Sequence, residues 1–343
     1  MGKRMKTIAL LLPFLVLACG KDDGDPGETG TIDTQNPDTD TSADSGDTDT
    51  EEPCLAEVIE ITPEDGEDDV FYRDSLSVAF TEDASAAVFT LTDNASAAAV
   101  AHTVSWGEGN LMANLTVTDF LAGASAYTLA VSICDTESSA SFETSGYGQP
   151  IDGGNEALTG MTSVILFENV NFTQPENIGP IIAGYLDVPL LVGVLGADTS
   201  NIDVIAAQGY FHNVDGYKQR INQATWTFGQ VDLDGNSFFS GQVSEIDFGD
   251  ANVSIPVHDF ALSGTYSPDS SHFAGGTIGG QVDTRFMAPL FGQTDPEYAC
   301  TLLGSMGAIC EPCPDGEVFC LTLLGEDIVS TPVPDVSLVE VGQ

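Results

Sequence analysis

Several groups of side chains in this sequence have types and spacings that could do chemistry. Cys310-Glu311-Pro312-Cys313 sets two thiols three positions apart, the spacing of a redox pair or of half a zinc site. A redox pair calls for a βαβ setting, which the surrounding residues do not suggest. A zinc site calls for further ligands, and no histidine follows His272. No Cys-x-x-Cys-His is present for haem attachment. Asp232-Leu233-Asp234-Gly235-Asn236 offers hard oxygens at alternate positions beside a turn glycine, which suits Ca²⁺. An EF-hand places its glycine two positions later and a glutamate twelfth, where counting from Asp232 gives Val243. Between β-strands the same pattern is more often just a hairpin turn. His212, His258 and His272 are candidate bases, and His258 adjoins Asp259. The Gly-x-Ser-x-Gly elbow of a hydrolase is missing, and neighbours along a strand point to opposite faces. Carboxylate pairs of the glycosidase kind arise by chance in a chain this acidic. These patterns favour a non-catalytic protein without a cofactor. Asp232, Asp234 and Asn236 are its metal candidates, as a weak calcium site.

Export is written at the N-terminus. Lys3, Arg4 and Lys6 precede an apolar run, Thr7 to Leu17, that is shorter than the about 20 residues a bilayer needs. A basic start, a short apolar run and a small residue before the cut describe a secretory signal. Val16-Leu17-Ala18-Cys19 resembles the lipobox of bacterial lipoproteins. The resemblance implies a signal peptide over 1–18, lipid on Cys19 and attachment to a membrane through that lipid. The absence of aspartate directly after Cys19 implies, by similarity to enterobacterial sorting, the outer membrane. Cys19-Gly20-Lys21-Asp22-Asp23 is also similar to the surface-export signal of some Bacteroidetes lipoproteins.

The chain carries 53 acidic and 8 basic residues, a net charge of −45. Such a surface repels a duplex or an anionic membrane face, and nucleic acid is not expected as a partner. Salt screens charges beyond about 8 Å, so the acidity acts mainly on solubility and counter-ion uptake. Scarce lysine with abundant acid fits a salt-adapted surface, and the melting temperature is expected to rise with added NaCl. A flat or falling curve would remove that reading. The acid is densest over residues 19–53, where Asp38-Thr39-Asp40-Thr41 recurs as Asp47-Thr48-Asp49-Thr50. A segment with so little apolar area cannot offset its ordering entropy and is expected to be a disordered tether. Its 34 residues after Cys19 would average roughly 30 Å end to end, and self-repulsion extends that. Acidic tethers of this kind resemble those of myxobacterial surface proteins.

Beyond the tether the periodicity turns to two. Ala56–Ile61, Ser75–Phe80 and Ala126–Val131 each alternate apolar and polar residues, with further strands at Val88–Leu91, Leu111–Val117 and Ala140–Thr144. About seven short strands separated by turn residues indicate a β-sandwich over 54–147. Pro63-x-x-Gly66-x-x-Asp69-Val70, Leu76-x-Val78-x-Phe80, Phe89-Thr90-Leu91-x-Asp93, Tyr127-x-Leu129-x-Val131 and Phe142-x-Thr144 follow one another in order. Together they resemble the bacterial Ig-like domain of the S-layer-protein type. The resemblance implies a spacer or adhesion module, with Tyr127 pinning a corner through its hydroxyl.

Residues 151–343 read as a second β-rich domain, meander or barrel-like. Ile202–Ala207, Ala224–Phe228, Ser237–Phe248 and Val253–Tyr266 are its strands. A hairpin closes around Ser267-Pro268-Asp269-Ser270-Ser271, and Gly275-Gly276 and Gly279-Gly280 are expected to mark bulges. Asp295-Pro296-Glu297 starts a short helix that carries Cys300. The region is similar to uncharacterised C-terminal regions of myxobacterial lipoproteins. Ile181 to Gly196 is apolar enough for a core strand pair, or for the wall of a cavity holding a hydrophobic ligand. Without Cys19, six cysteines remain, an even number that argues for disulfides in an exported chain. Cys54 and Cys134 fall in the sandwich and are expected to pair. Cys300, Cys310, Cys313 and Cys320 allow three pairings. The sequence thus favours a lipid-anchored envelope protein that meets an envelope protein or polysaccharide. A lipid carrier is the alternative, and an envelope hydrolase the remote one.

Overall fold

Leu76-Ser77-Val78-Ala79-Phe80 shows how this chain builds sheet. Leu76, Val78 and Phe80 are buried while the residues between them are half exposed, the period of a strand with one covered face. A computed structural model describes residues 54–175, 188–249 and 254–342. The signal segment, Cys19, the acidic tether and the Ile181–Asp187 part of the apolar stretch lie outside the described residues.

The first strands are β1 (Val58–Thr62), β2 (Glu67–Val70), β3 (Leu76–Phe80), β4 (Val88–Asp93) and β5 (Ala98–Ala99). They are followed by β6 (His102–Trp106), β7 (Met112–Val117), β8 (Ala126–Ile133) and β9 (Thr136–Thr144). One sheet has the order β1-β3-β7-β6, the other β2-β9-β8-β4-β5. All pairings are antiparallel except β2 with β9. Leu76, Val78, Leu91, Leu115, Leu129 and Val131 fill the space between the sheets. This is the Ig-like sandwich the strand pattern suggests, with β2, β5 and β6 added to the strands legible in sequence. Tyr127 Oη accepts a hydrogen bond from Ala122 N at 2.8 Å, which is the tyrosine corner of such folds. Cys54 and Cys134 form a disulfide across 80 positions.

The second set comprises β10 (Thr162–Ile165), β11 (Asn171–Gln174), β12 (Leu190–Ala197), β13 (Asn201–His212), β14 (Gly216–Gln219) and β15 (Thr225–Asp232). It continues with β16 (Phe238–Gly249), β17 (Ser254–Tyr266), β18 (Phe273–Asp283), the helix α1 (Tyr298–Gly304), β19 (Glu311–Pro312), β20 (Val318–Val329) and β21 (Thr331–Pro332). One sheet runs β14-β13-β12-β10-β21 with β15 also on β13; the other runs β11-β20-β18-β17-β16 with β19 also on β20. The β15–β16 turn joins them along one side, where Leu233 bridges to Phe239, giving a half-barrel.

The Leu190-to-Val194 run lacks alternation because β12 is covered on both faces. Leu190, Val192 and Val194 face the main core, whereas Leu191 joins Val164, Ile205 and Ala207 beneath Val333 and Leu338 from the C-terminal segment. A strand buried on both faces reads as a continuous apolar run. At the centre of the main core, Phe239, Tyr266 and Phe273 meet with ring centroids 4.9–5.8 Å apart. The bulge expected at Gly275-Gly276 is present as register shifts around Gly276 on β18, whereas Gly279 and Gly280 keep regular register with Leu324 and Leu323 and the extra residue opposite Gly280 lies on β17. A Cβ at Gly276 would lie within bonding distance of Ser263 O, so only glycine lets the two strands approach there.

Candidate functional site

The most constrained polar cluster lies between the sandwich and the half-barrel, which belong to one compact unit, Pro53–Gln343. The β2–β3 loop supplies Phe71, Tyr72 and Arg73. The Arg73 guanidinium stacks between Phe120 of the sandwich and Phe238 of the half-barrel, 3.9 and 3.7 Å from the two ring centroids. Its Nε donates to Tyr72 Oη at 2.8 Å, and its Nη2 donates to Asp234 Oδ2 at 2.7 Å. Tyr72 Oη in turn shares a hydrogen bond with the buried Thr265 Oγ1 at 3.1 Å. A planar fork that is always charged can do all of this at once.

Around this clamp Tyr147 Oη meets His272 Nε2 at 2.8 Å, and Ser237 Oγ donates to Gln149 O at 3.1 Å. Gly275, at φ +62°, lies directly against the Phe71 ring and leaves no room for a Cβ. Burial raises the Tyr72 hydroxyl above its ordinary pKa, although Thr265 and Arg73 pull it back, and burial likewise raises Tyr147. A folded pKa above the unfolded one means stability that is fully present below about pH 10 and lost as pH rises through the folded values. Melting temperature should therefore fall above about pH 10, and less steeply in Tyr72→Phe and Tyr147→Phe. A slope unchanged by both variants would show that other groups control the alkaline limb.

The residues offered as calcium ligands sit at the edge of this joint. Asp234 Oδ1 accepts from Asn236 N at 2.9 Å and Phe238 N at 3.0 Å, while Oδ2 holds Arg73. Asp232 ends β15 opposite Asn201. Asp234 thus carries a guanidinium, and the turn closes the β15–β16 hairpin. Among the described residues no three His, Cys, Asp or Glu side chains group as a metal site.

The cysteines resolve into Cys300–Cys310 and Cys313–Cys320. Cys310 and Cys313 therefore belong to different bridges, as the disulfide reading allows and the redox-pair and zinc alternatives do not. The first bridge ties α1 to the following loop, with the helix beginning at Tyr298, just after the Asp-Pro-Glu signal. The second ties the β19–β20 hairpin. Asp283, almost wholly buried, receives the Arg285 guanidinium through both oxygens at 2.6–3.1 Å, and Arg285 Nη1 reaches Asp315 at 2.7 Å.

The histidines each have a separate partner. His102 Nδ1 lies 2.9 Å from Val100 O, His212 Nδ1 3.2 Å from Asp215, and His258 Nδ1 2.8 Å from Glu245, its register partner across β16 and β17. Asp259 sits at φ +50° in a bulge of β17. None of these contacts joins a serine, a histidine and a carboxylate in the order a hydrolase relay needs. Near His272, Ser271 Oγ is on Nδ1 at 2.8 Å and Tyr147 is on Nε2. Sequence reasoning passed over Arg73, Phe120 and Phe238. The available signal was the scarcity of cations, since residues 54–343 hold just Arg73, Lys218, Arg220 and Arg285.

No family model matches the chain. No curated protein matches it. Among solved structures it is similar to the N-terminal part of the bacterial S-layer protein SbsC, at 13% identity over 51% of this chain and 44% of that one, with a TM-score of 0.22. It is also similar to the S-layer protein rSbsC(31-844), at 10% identity over 80% of this chain and 51% of that one, with a TM-score of 0.21. The chain spans about half the length of these structures.

Proposed function

We propose that this protein is a non-catalytic module of the bacterial cell envelope, anchored by lipid on Cys19 and held off the membrane by its acidic tether. In this reading the folded part is a stiff body that presents its surface to an envelope protein or polysaccharide. The observation that carries it is the Arg73 clamp, because a guanidinium stacked between rings of two sheet pairs fixes their relative orientation. Three disulfides suit an oxidising compartment. The aromatic packing at the centre of the half-barrel supports a structural use of that core over a carrying one.

Detergent phase partitioning of the full chain tests the anchor. The unaltered protein should enter the detergent phase, and Cys19→Ser should move it to the aqueous phase. A Cys19→Ser protein that stays with detergent would defeat the lipid reading. A deletion strain with normal attachment and normal envelope integrity would defeat the structural role.

A further inference from the structure

Among the described residues, two of the four cations of the folded part have no carboxylate partner, although the chain carries a charge of −45. Arg73 and Arg285 are ion-paired, whereas Lys218 and Arg220 make no ion pair with another described residue. Both lie on or beside β14, which pairs with the last residues of β13 to form a hairpin. Strand β12 stops opposite Gln208, so Tyr210 to His212 extend beyond it. This hairpin also exposes apolar side chains. Val214 at its tip is 85% exposed, Ile221 72% and Phe211 61%. Phe211 stacks edge-on with Tyr217, ring centroids 5.2 Å apart, and Tyr210 stands opposite Lys218.

We infer that this hairpin is a membrane-interface contact that seats its aromatic and aliphatic tip among the headgroups of a bilayer containing anionic lipid. Aromatic side chains with a polar edge favour that layer, and flanking lysine or arginine meets lipid phosphates. The one carboxylate of the hairpin, Asp215, is held by His212 at 3.2 Å, so Lys218 and Arg220 are its outward charges. Complementarity to lipid phosphate selects this occupant over a second copy joined hairpin to hairpin, which would bring those cations together. The net charge of −45 opposes approach of the chain as a whole to an anionic surface. Its repulsion acts over distance and is screened within about 8 Å at physiological salt. The contact of Lys218 with phosphate acts at close range. Binding should therefore strengthen from low to physiological salt, the reverse of a basic peptide that binds by charge alone.

Vesicle flotation tests this on the chain from Gly20 onward, which retains every described residue and carries no lipid, so the outcome is independent of the Cys19 reading. The probes are vesicles of phosphatidylcholine alone and with a minority of phosphatidylglycerol. The protein should float with the mixed vesicles. Lys218→Gln should weaken partitioning about fivefold. Phe211→Ser with Val214→Ser should abolish it while leaving the melting temperature unchanged. Arg220 is left intact because its Nε holds Gly209 O at 3.0 Å. Absence of flotation, flotation indifferent to these variants, or concentration-dependent dimerisation abolished by them would each overturn the inference. So would a clear fall in melting temperature in the double variant, which would mean that the chain itself covers the hairpin.

Discussion

Arg73→Ala should lower the melting temperature by about 6 °C, close to 3 kcal/mol for a unit of this size. The estimate sums contacts of different kinds. Each stacked ring contributes about 0.5–1 kcal/mol at a partly exposed cation and more when it is desolvated. The Nε bond to Tyr72 is charge-assisted and contributes about 1.5 kcal/mol or more. The Asp234 pair adds little, because that carboxylate is 43% exposed and solvent screens it. Arg73→Lys should recover less than half of the loss, since an ammonium can reach Asp234 but cannot stack in the same slot while bonding Tyr72. Calorimetry should show one endotherm for the unaltered protein and two for Arg73→Ala, the sandwich and the half-barrel separating once the clamp is gone. A variant that melts as one unit within a degree of the parent would refute the clamp. Asp234→Asn should cost far less than Arg73→Ala, because the rings and Tyr72 still hold the guanidinium.

This clamp shows where sequence reading stops. The sandwich was legible because its strands are covered on one face, so Leu76-Ser77-Val78-Ala79-Phe80 announces both element and orientation. The pairing of Cys54 with Cys134 was legible from placement, one before the Ala56–Ile61 strand and one just after the Ala126–Val131 strand. Gly275-Gly276 announced a bulge for a local reason, the absence of a Cβ. Leu190 to Val194 announced burial without partners, since a strand covered on both faces carries no phase. The joint was illegible because its parts are 47 and more positions apart in sequence, Arg73 with Phe120 and Phe238, and none of them breaks a local pattern. The same holds for Asp234. Its spacing suits a turn more often than a calcium loop, and nothing in it announces the guanidinium that reaches Asp234 from 161 residues away. The hairpin at Tyr210 to Ile221 escaped notice because an exposed apolar residue in a strand looks, in sequence, like a buried one.

Removing the Cys54–Cys134 bridge should cost more than removing either bridge near the C-terminus. A crosslink limits the unfolded chain in proportion to the logarithm of the loop it closes. The sequence separations are 80, 10 and 7 residues. On that basis the first bridge stabilises by about 4 kcal/mol and each of the others by roughly 2–3 kcal/mol. Local backbone adds a second effect at the first bridge. Cys134 and Asp135 are the two loop residues between Ile133 and Thr136, and both have positive φ, +50° and +59°. This is the type I′ geometry that asparagine and glycine accept and most side chains resist. Cys54→Ala with Cys134→Asn should therefore be about 1 kcal/mol more stable than Cys54→Ala with Cys134→Ala. Urea unfolding of the two double variants beside the parent measures both effects. Equal stability of the alanine and asparagine forms would place the cost in the crosslink alone. A loss smaller than that for Cys300→Ala with Cys310→Ala would mean that the unfolded sandwich already holds its ends together without the bridge.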